Sequence, residues 1–434
     1  MAGTTYKPVI GMEIHVQLAT KSGMFCGCPA ESFGKEPNTQ TCPVCLGLPG
    51  ALPVPNKKAV DWTIMLGLAL GGVIAKTSKF DRKHYFYPDL PKGYQISQYD
   101  KPLSTGGQVE TSLGLVRIRR VHLEEDTGKL MHTEINGKKV SLVDFNRSGV
   151  PLVEIVTEPD IRTGAQAKEF ARELQKIVRK LGISDCDMEK GSMRLEANIS
   201  WGLQLGYKVE VKNLNSFRFV DKAINFELTR QKGILDSGQK PQQETRGYSE
   251  ATGETFSQRS KETEADYRYF PEPDIPPMVF SDSDIAKLKK LIPELPQATK
   301  ERLIKDYGIR SEYAHILVQE EIVDFAEKAM ARGKELELDS NKVISAIINK
   351  KIKPDIKNIS VLLAEVKRSS ASKLSDISTL LPLIKRAINE TPQAVADYRS
   401  GKKQAIGVLV GKVMTLSKGN ADAKVVQTLL EQNL

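Results

Sequence analysis

Acidic side chains recur in the first 160 residues of this 434-residue chain. Glu13 stands beside His15, Glu124-Glu125-Asp126 form a run, and Glu154 follows, each in a segment that reads as a strand or tight loop. Magnesium and manganese prefer oxygen ligands with an occasional imidazole, so several of these acids gathered at one sheet end would form a divalent-cation site. Spacing alone leaves the alternative of scattered surface acids. Basic groups accompany them at Arg82, Lys83, Lys129 and Arg147. Cations beside a metal ion are what a nucleoside triphosphate needs, because both neutralise charge on a transferred phosphoryl group. A phosphate loop of the G-x-x-x-x-G-K-[ST] type is absent: Gly71-Gly72-Val73-Ile74-Ala75-Lys76-Thr77 lacks the second glycine and follows a helical pattern. Any nucleotide site is therefore of another kind. No serine nucleophile elbow occurs either.

The stretch from Phe80 to Gln95, FDRKHYFYPDLPKGYQ, is dense in basic, acidic and aromatic groups. A half-buried strand would alternate apolar and polar residues, and a disordered segment would lack the rings. Two prolines and a glycine impose loop geometry on much of it. Such a loop is suited to gripping a ligand; the plainer reading is a rigid loop whose rings cap a core edge.

Four of the five cysteines form two close pairs, Cys26-x-Cys28 and Cys42-x-x-Cys45. Two such pairs can close a tetrahedral zinc shell, with turns supplied by Gly27, Pro43, Gly47 and Gly50. One intervening residue in the first pair is tighter than usual, and reduced free thiols are the alternative. Cys186 reads as a small core hydrophobe.

These groups need a scaffold. After Gly11 the chain alternates, with Glu13, His15 and Gln17 on one strand face and Ile14, Val16 and Leu18 on the other. Further strands are expected at Val116–Glu124, Leu152–Val156, Arg194–Ser200 and Lys208–Lys212. Helices are expected at Asn56–Leu70 with Asn56 as cap, at Gly164–Leu181 and at Val220–Lys232. Beyond Pro293 the pattern turns helical: Ala298–Tyr307, Ser311–Ala331 and Asn341–Asn349, then a polar linker around Arg368–Ser372, then a last helical block. The fold class expected is α+β, a mixed sheet over 1–293 followed by all-α regions at 294–375 and 376–434.

With 40% hydrophobic and 27% charged residues, the chain has the composition of a globular protein rather than a disordered or membrane one. No apolar run is long enough to cross a bilayer, and the start lacks the apolar core of a signal peptide, so a cytoplasmic location is expected. Charge is uneven: Lys342–Leu434 holds 16 basic against 7 acidic residues and so carries the whole net charge of +9. A neutral body with a basic end suggests a polyanionic partner there, a solubilising helical surface being the alternative.

Long motifs then point to one family. Gly11-Met12-Glu13-Ile14-His15, Cys42 through Gly50, the loop from Phe80, Leu123-Glu124-Glu125-Asp126, Asp144-Phe145-Asn146-Arg147 with Pro151-Leu152-Val153-Glu154, Val211 through Phe217, and Asp266 through Asp274 together resemble the B subunit of the tRNA-dependent aspartyl/glutamyl amidotransferases. The likeness runs from Ile10 to Pro277 and resumes from Ala396 through Lys403 to Gly419.

The resemblance implies a ligase in a heterotrimeric complex with an amidase (the A subunit) and a small third chain (the C subunit). In that family, the B subunit uses ATP and magnesium to phosphorylate the side-chain carboxylate of glutamate or aspartate esterified to tRNA. Ammonia freed from glutamine then displaces phosphate, giving Gln-tRNA(Gln) or Asn-tRNA(Asn). Its catalytic domain, called a cradle, corresponds to 1–293 here, with a zinc knuckle at 26–45; a helical domain (294–375) and a tRNA-contacting tail (376–434) follow. Carried onto this chain, the resemblance implies magnesium held by Glu13, His15, Glu125 and Glu154, with Glu124 as alternate. Strand parity allows only one of Glu124 and Glu125 to point inward. Glu125, Lys83 and Arg147 are implied as catalytic, the latter two through phosphate contacts. Tyr85, Phe86 and Tyr87 would wall the acceptor end, and Lys402 and Lys403 would meet tRNA. Cys26, Cys28, Cys42 and Cys45 would hold a structural zinc, a site only some members carry. The stretch between Lys367 and Asp376 is short for the family. A zinc-bearing tRNA-binding scaffold without chemistry is the rival reading.

Overall fold

The computed structural model describes residues 6–202, 206–260, 267–350, 355, 357–371, 376–417 and 421–434. Asp266, Ser372, Lys418 and Gly419 lie outside them. The chain divides into two compact units, 1–296 and 297–434.

The first unit is built on a largely antiparallel sheet. Its strands run in the order Glu254–Ser260, Glu244–Ser249, Val209–Lys212, Met193–Trp201, Pro8–Gln17, Pro151–Thr157, Gly114–Glu125, Ser104–Thr105 and Val73–Ile74. One pair, Val209–Lys212 with Glu244–Ser249, is parallel. The period-2 pattern decides what each face does. Ile14, Val16, Val153, Ile155, Leu195, Ala197, Val209 and Val211 are buried in one apolar core. That core also takes Phe170, Leu174 and Val178 of the helix Gly164–Lys180 and Val220, Ala223 and Ile224 of the helix Phe217–Asp236. Burying such side chains contributes roughly 1.5–3 kcal/mol each. With the apolar residues committed to the helices, their polar neighbours in sequence emerge on the opposite face.

Asn56 caps the helix Lys57–Ala69 as expected, its Oδ1 accepting from the Lys58 and Ala59 amides at 3.0 and 3.3 Å. Cys186 is fully buried in the apolar core. A three-stranded ribbon of Asp81–His84, Tyr94–Ser97 and Phe270–Pro271 forms a separate small sheet. Arg82 staples it, reaching Glu272 at 2.6 and 2.9 Å and lying over the Tyr94 ring.

The second unit is helical and carries two apolar clusters. One gathers Leu317, Phe325, Met330, Ile344 and Leu363. The other gathers Leu380, Ile384, Leu409, Val413, Val426 and Leu430. Two expectations are corrected here. The single helix expected over Ser311–Ala331 is two, Ser311–Gln319 and Val323–Glu335, parted where Glu321 takes a left-handed φ of 54°. No glycine or proline marks that break, so periodicity runs through it unseen. The linker expected from Arg368 is helical through Ala371, the end of the helix Asn358–Ala371.

Candidate active site

The polar face of the sheet floors a cleft of about 760 Å³. Register brings its side chains together from segments far apart in sequence. His15 pairs with Glu154 on one side and Arg194 on the other, and Glu154 pairs in turn with His122. The His15 Nε2 lies 3.6 Å from a carboxylate oxygen of both Glu124 and Glu154. One ligand atom from each of His15, Glu124 and Glu154 falls within 4.8 Å of the others. Two carboxylates and an imidazole match the donor preference of magnesium or manganese, so these residues fit such an ion.

The His122 Nε2 stands 3.1 Å from Glu154 and 3.8 Å from Glu124, while its buried Nδ1 has no hydrogen-bond partner among the described residues. Burial opposes charge on Glu154, but the two histidines outweigh it and hold its pKa well below the ordinary carboxylate value. Burial likewise lowers His15, yet the Glu154 hydrogen bond and the Glu154, Glu124 and Glu196 charges win and raise it to about 9. Glu124 is held in place by the Ser97 hydroxyl at 3.0 Å.

Glu124 and Glu125 part company. Glu125 Oε1 accepts from the Ile96 amide at 2.9 Å and meets the Lys92 ammonium at 2.6 Å. It lines a smaller cavity with Cys26, Cys45, Lys92 and Gly149. Glu125 thus faces away from the His15 set, and Glu124, the alternate, lies within it. Glu13 also stands apart from the His15 set. It groups with Glu196 and Glu210, accepts from Asn198 Nδ2 at 2.8 Å, and shares its surroundings with Lys212, 3.2 Å from Glu196 and 3.7 Å from Glu210. Glu196 chiefly, with burial opposing, raises the Lys212 pKa above that of an ordinary lysine.

Lys83 lines the cleft. Its ammonium lies 4.7 Å from the Tyr267 ring centroid and 5.9 Å from that of Tyr85. Burial works against its charge, but Tyr269, Glu124 and Glu154 raise its pKa well above the usual value. Tyr99 and Tyr269 stack at 4.4 Å along the same wall. Of the three rings assigned to the acceptor end, only Tyr85 faces the cleft; Phe86 and Tyr87 are exposed to 80% and 52%. All three follow the end of the strand Asp81–His84, so no ladder fixes the direction in which each ring turns.

Arg147 does not line the cleft. Its guanidinium donates to the Thr127 and Gly128 carbonyls at 3.0 and 2.7 Å and so holds a rim loop. The cleft arginines are Arg119, Arg120 and Arg194. Arg194 donates to Asp126 at 2.9 Å; burial disfavours the Asp126 charge, but Arg194 and Arg147 bring its pKa down to about 2. Sequence reasoning missed Arg194, Glu196, Glu210 and Lys212, although the alternation in their two strands already put them on the polar face.

The four cysteines converge, one Sγ from each falling within 4.8 Å of the rest. Cys45 accepts from the Cys42 amide, and a hydrogen bond from Cys26 lowers its thiol to about 5, against burial. Four sulfur donors at that spacing fit zinc. Lys402 and Lys403 lie in the second unit and are exposed; the Lys402 Nζ is 3.1 Å from Asp397.

Comparison with known families matches residues 8–286 to the GatB/GatE catalytic domain and residues 318–434 to the GatB domain. The chain belongs to the GatB family. The aspartyl/glutamyl-tRNA(Asn/Gln) amidotransferase B subunit of Thermomicrobium roseum is 44% identical over 99% of both chains. Its counterpart in Thermotoga maritima is 45% identical, covering 98% of this chain and 99% of its own. The one in Caldicellulosiruptor saccharolyticus is 43% identical over 99% of both. The alignment to the first extends over 479 positions, more than the 434 residues of this GatB-family chain. Among the described residues, no helix is long and apolar enough to cross a membrane.

Proposed function

We propose that this chain is the activating subunit of a tRNA-dependent amidotransferase, working in the cytoplasm with an amidase (the A subunit) and a small third chain (the C subunit). It converts Glu-tRNA(Gln), Asp-tRNA(Asn) or both to the amide at the expense of ATP. The observation that carries this reading is the meeting of His15, Glu124 and Glu154 in the cleft that Lys83 and Arg194 also line. A scaffold has no need of that set.

A side-chain carboxylate is a poor electrophile because its leaving group would be oxide. One of its oxygens attacks the γ-phosphorus of ATP, the bond to the bridging oxygen breaks, and ADP leaves. Magnesium held by His15, Glu124 and Glu154 would supply charge neutralisation for that transfer. Lys83 and Arg194 offer fixed positive charge to phosphate oxygens; Arg147 supports the rim behind Asp126. Ammonia from the amidase then attacks the acyl carbon, phosphate departs, and the nitrogen sheds a proton. Tyr85, Tyr267 and Tyr269 line the wall beside Lys83 and limit water, which would otherwise hydrolyse the acyl phosphate. We assign 1–293 to catalysis, 294–375 to a helical domain and 376–434 to tRNA contact, with zinc at the four cysteines.

The test is ATP cleavage by the assembled complex with mischarged tRNA, with uncharged tRNA, and with Glu154→Gln. Phosphate release that needs mischarged tRNA and disappears in the variant supports the reading. Equal release with uncharged tRNA, or full activity in Glu154→Gln, refutes it.

A further inference from the structure

The loop between the two cysteine pairs is tied to the rim of the cleft by two asparagines. Asn38, in a left-handed conformation at φ 60°, donates from its amide to Asp144 at 3.1 Å and from Nδ2 to the Val143 carbonyl at 3.0 Å. Its Oδ1 accepts from the Phe145 amide at 2.7 Å. Asn146 answers from the other side: its buried Oδ1 accepts from the Gln40 amide at 2.8 Å, and its Nδ2 donates to the Glu36 carbonyl at 2.7 Å. The next residue is Arg147, which holds the Thr127 and Gly128 carbonyls. Those follow Asp126, the partner of Arg194. A second strap runs from the Ser148 hydroxyl to the Cys45 carbonyl at 3.1 Å.

We infer that the cysteine knuckle is a positioning device for the catalytic cleft, acting through the Asn38–Asn146 clasp and Arg147 on Asp126 and Arg194. Residues 29–41 hang between Cys28 and Cys42. Closing the thiols on a metal fixes both ends of that loop and removes most of its freedom. Asn38 and Asn146 then pass the fixed position to the turn that carries Arg147. Untied thiols let the loop, the turn and the Asp126–Gly128 segment loosen together. Given the reading of the cleft above, an Arg194 without a settled Asp126 binds phosphate groups less well, so the knuckle governs substrate affinity without touching substrate.

Hydrogen exchange followed by mass spectrometry on the assembled complex, with zinc content measured in parallel, tests this. The proteins compared are wild type, Cys28→Ser and Asn146→Ala. In Cys28→Ser, zinc is lost, and peptides covering 126–128 and 143–147 exchange ~10-fold faster while the helix Phe217–Asp236 keeps its protection. In Asn146→Ala, zinc is retained and the same rim peptides loosen. There the KM for ATP rises ~5-fold with kcat held within about twofold, as expected when ground-state binding alone is lost. Unchanged rim exchange in both variants overturns the clasp. A wild-type protein free of zinc overturns the metal's part in it. The exchange arm reads the clasp even if the cleft proves not to cleave ATP.

Discussion

Glu124 and Glu125 are neighbours in the chain and serve opposite faces of the sheet. Glu124 sits 3.6 Å from His15, and Glu125 sits 2.6 Å from Lys92. Both are nearly inaccessible to solvent, at 2% each, so composition and burial do not tell them apart. Only the direction of each Cβ from the strand does.

That difference has a measurable consequence. Glu124→Gln is expected to weaken Mn2+ binding about 10–100-fold, the range for losing a ligand or its close support. Glu125→Gln leaves Mn2+ affinity within about threefold and instead destabilises the fold, because it removes the charged partner 2.6 Å from the half-buried Lys92. Manganese titration by electron paramagnetic resonance and urea unfolding separate the two. A larger loss of Mn2+ affinity in Glu125→Gln reverses the assignment.

His122 touches no substrate in this reading; it orients Glu154 from the neighbouring strand, at 3.1 Å. His122→Ala should therefore lower divalent-ion affinity about 10-fold or more without preventing folding. Isothermal titration with Mn2+ measures it, and an unchanged dissociation constant contradicts the role.

Asp126 provides a pH test. Its folded pKa of about 2 lies below its ordinary value of 3.8. The unfolded state therefore binds the proton first as pH falls, and the stability from Asp126 is full above pH 3.8 and lost as pH drops through 2. A shift of that size corresponds to about 2 kcal/mol. Asp126→Asn should flatten the decline in unfolding free energy between about pH 4 and 2 relative to wild type; parallel curves speak against the Arg194 pairing.

The basic end is testable through salt. If Lys402 and Lys403 each neutralise one phosphate, the double change to Gln lowers the slope of log affinity for tRNA against log salt by about 1.4–1.8. Filter binding between low and moderate salt gives the slope directly. A parallel displacement with an unaltered slope places the tRNA contact elsewhere.

Much of this is legible in the sequence alone. Alternation after Gly11 put Glu13, His15 and Gln17 on one face, and the helix at Asn56 announced its own cap. The cysteine spacing signalled a four-sulfur centre. These are local signals, written within a few residues of one another, and the likeness to the GatB family was read from motifs in the same way. The tertiary structure decided which candidates meet. His15, Glu124 and Glu154 converge because the pairing of three strands sets their register across more than a hundred residues of sequence. Glu13 is drawn into another group by Glu196 and Glu210, which arrive on different strands. Arg147 turns to a rim loop because two carbonyls there need donors. Period fixes the face a side chain takes; only long-range pairing, through the geometry of hydrogen bonds between distant strands, fixes its company.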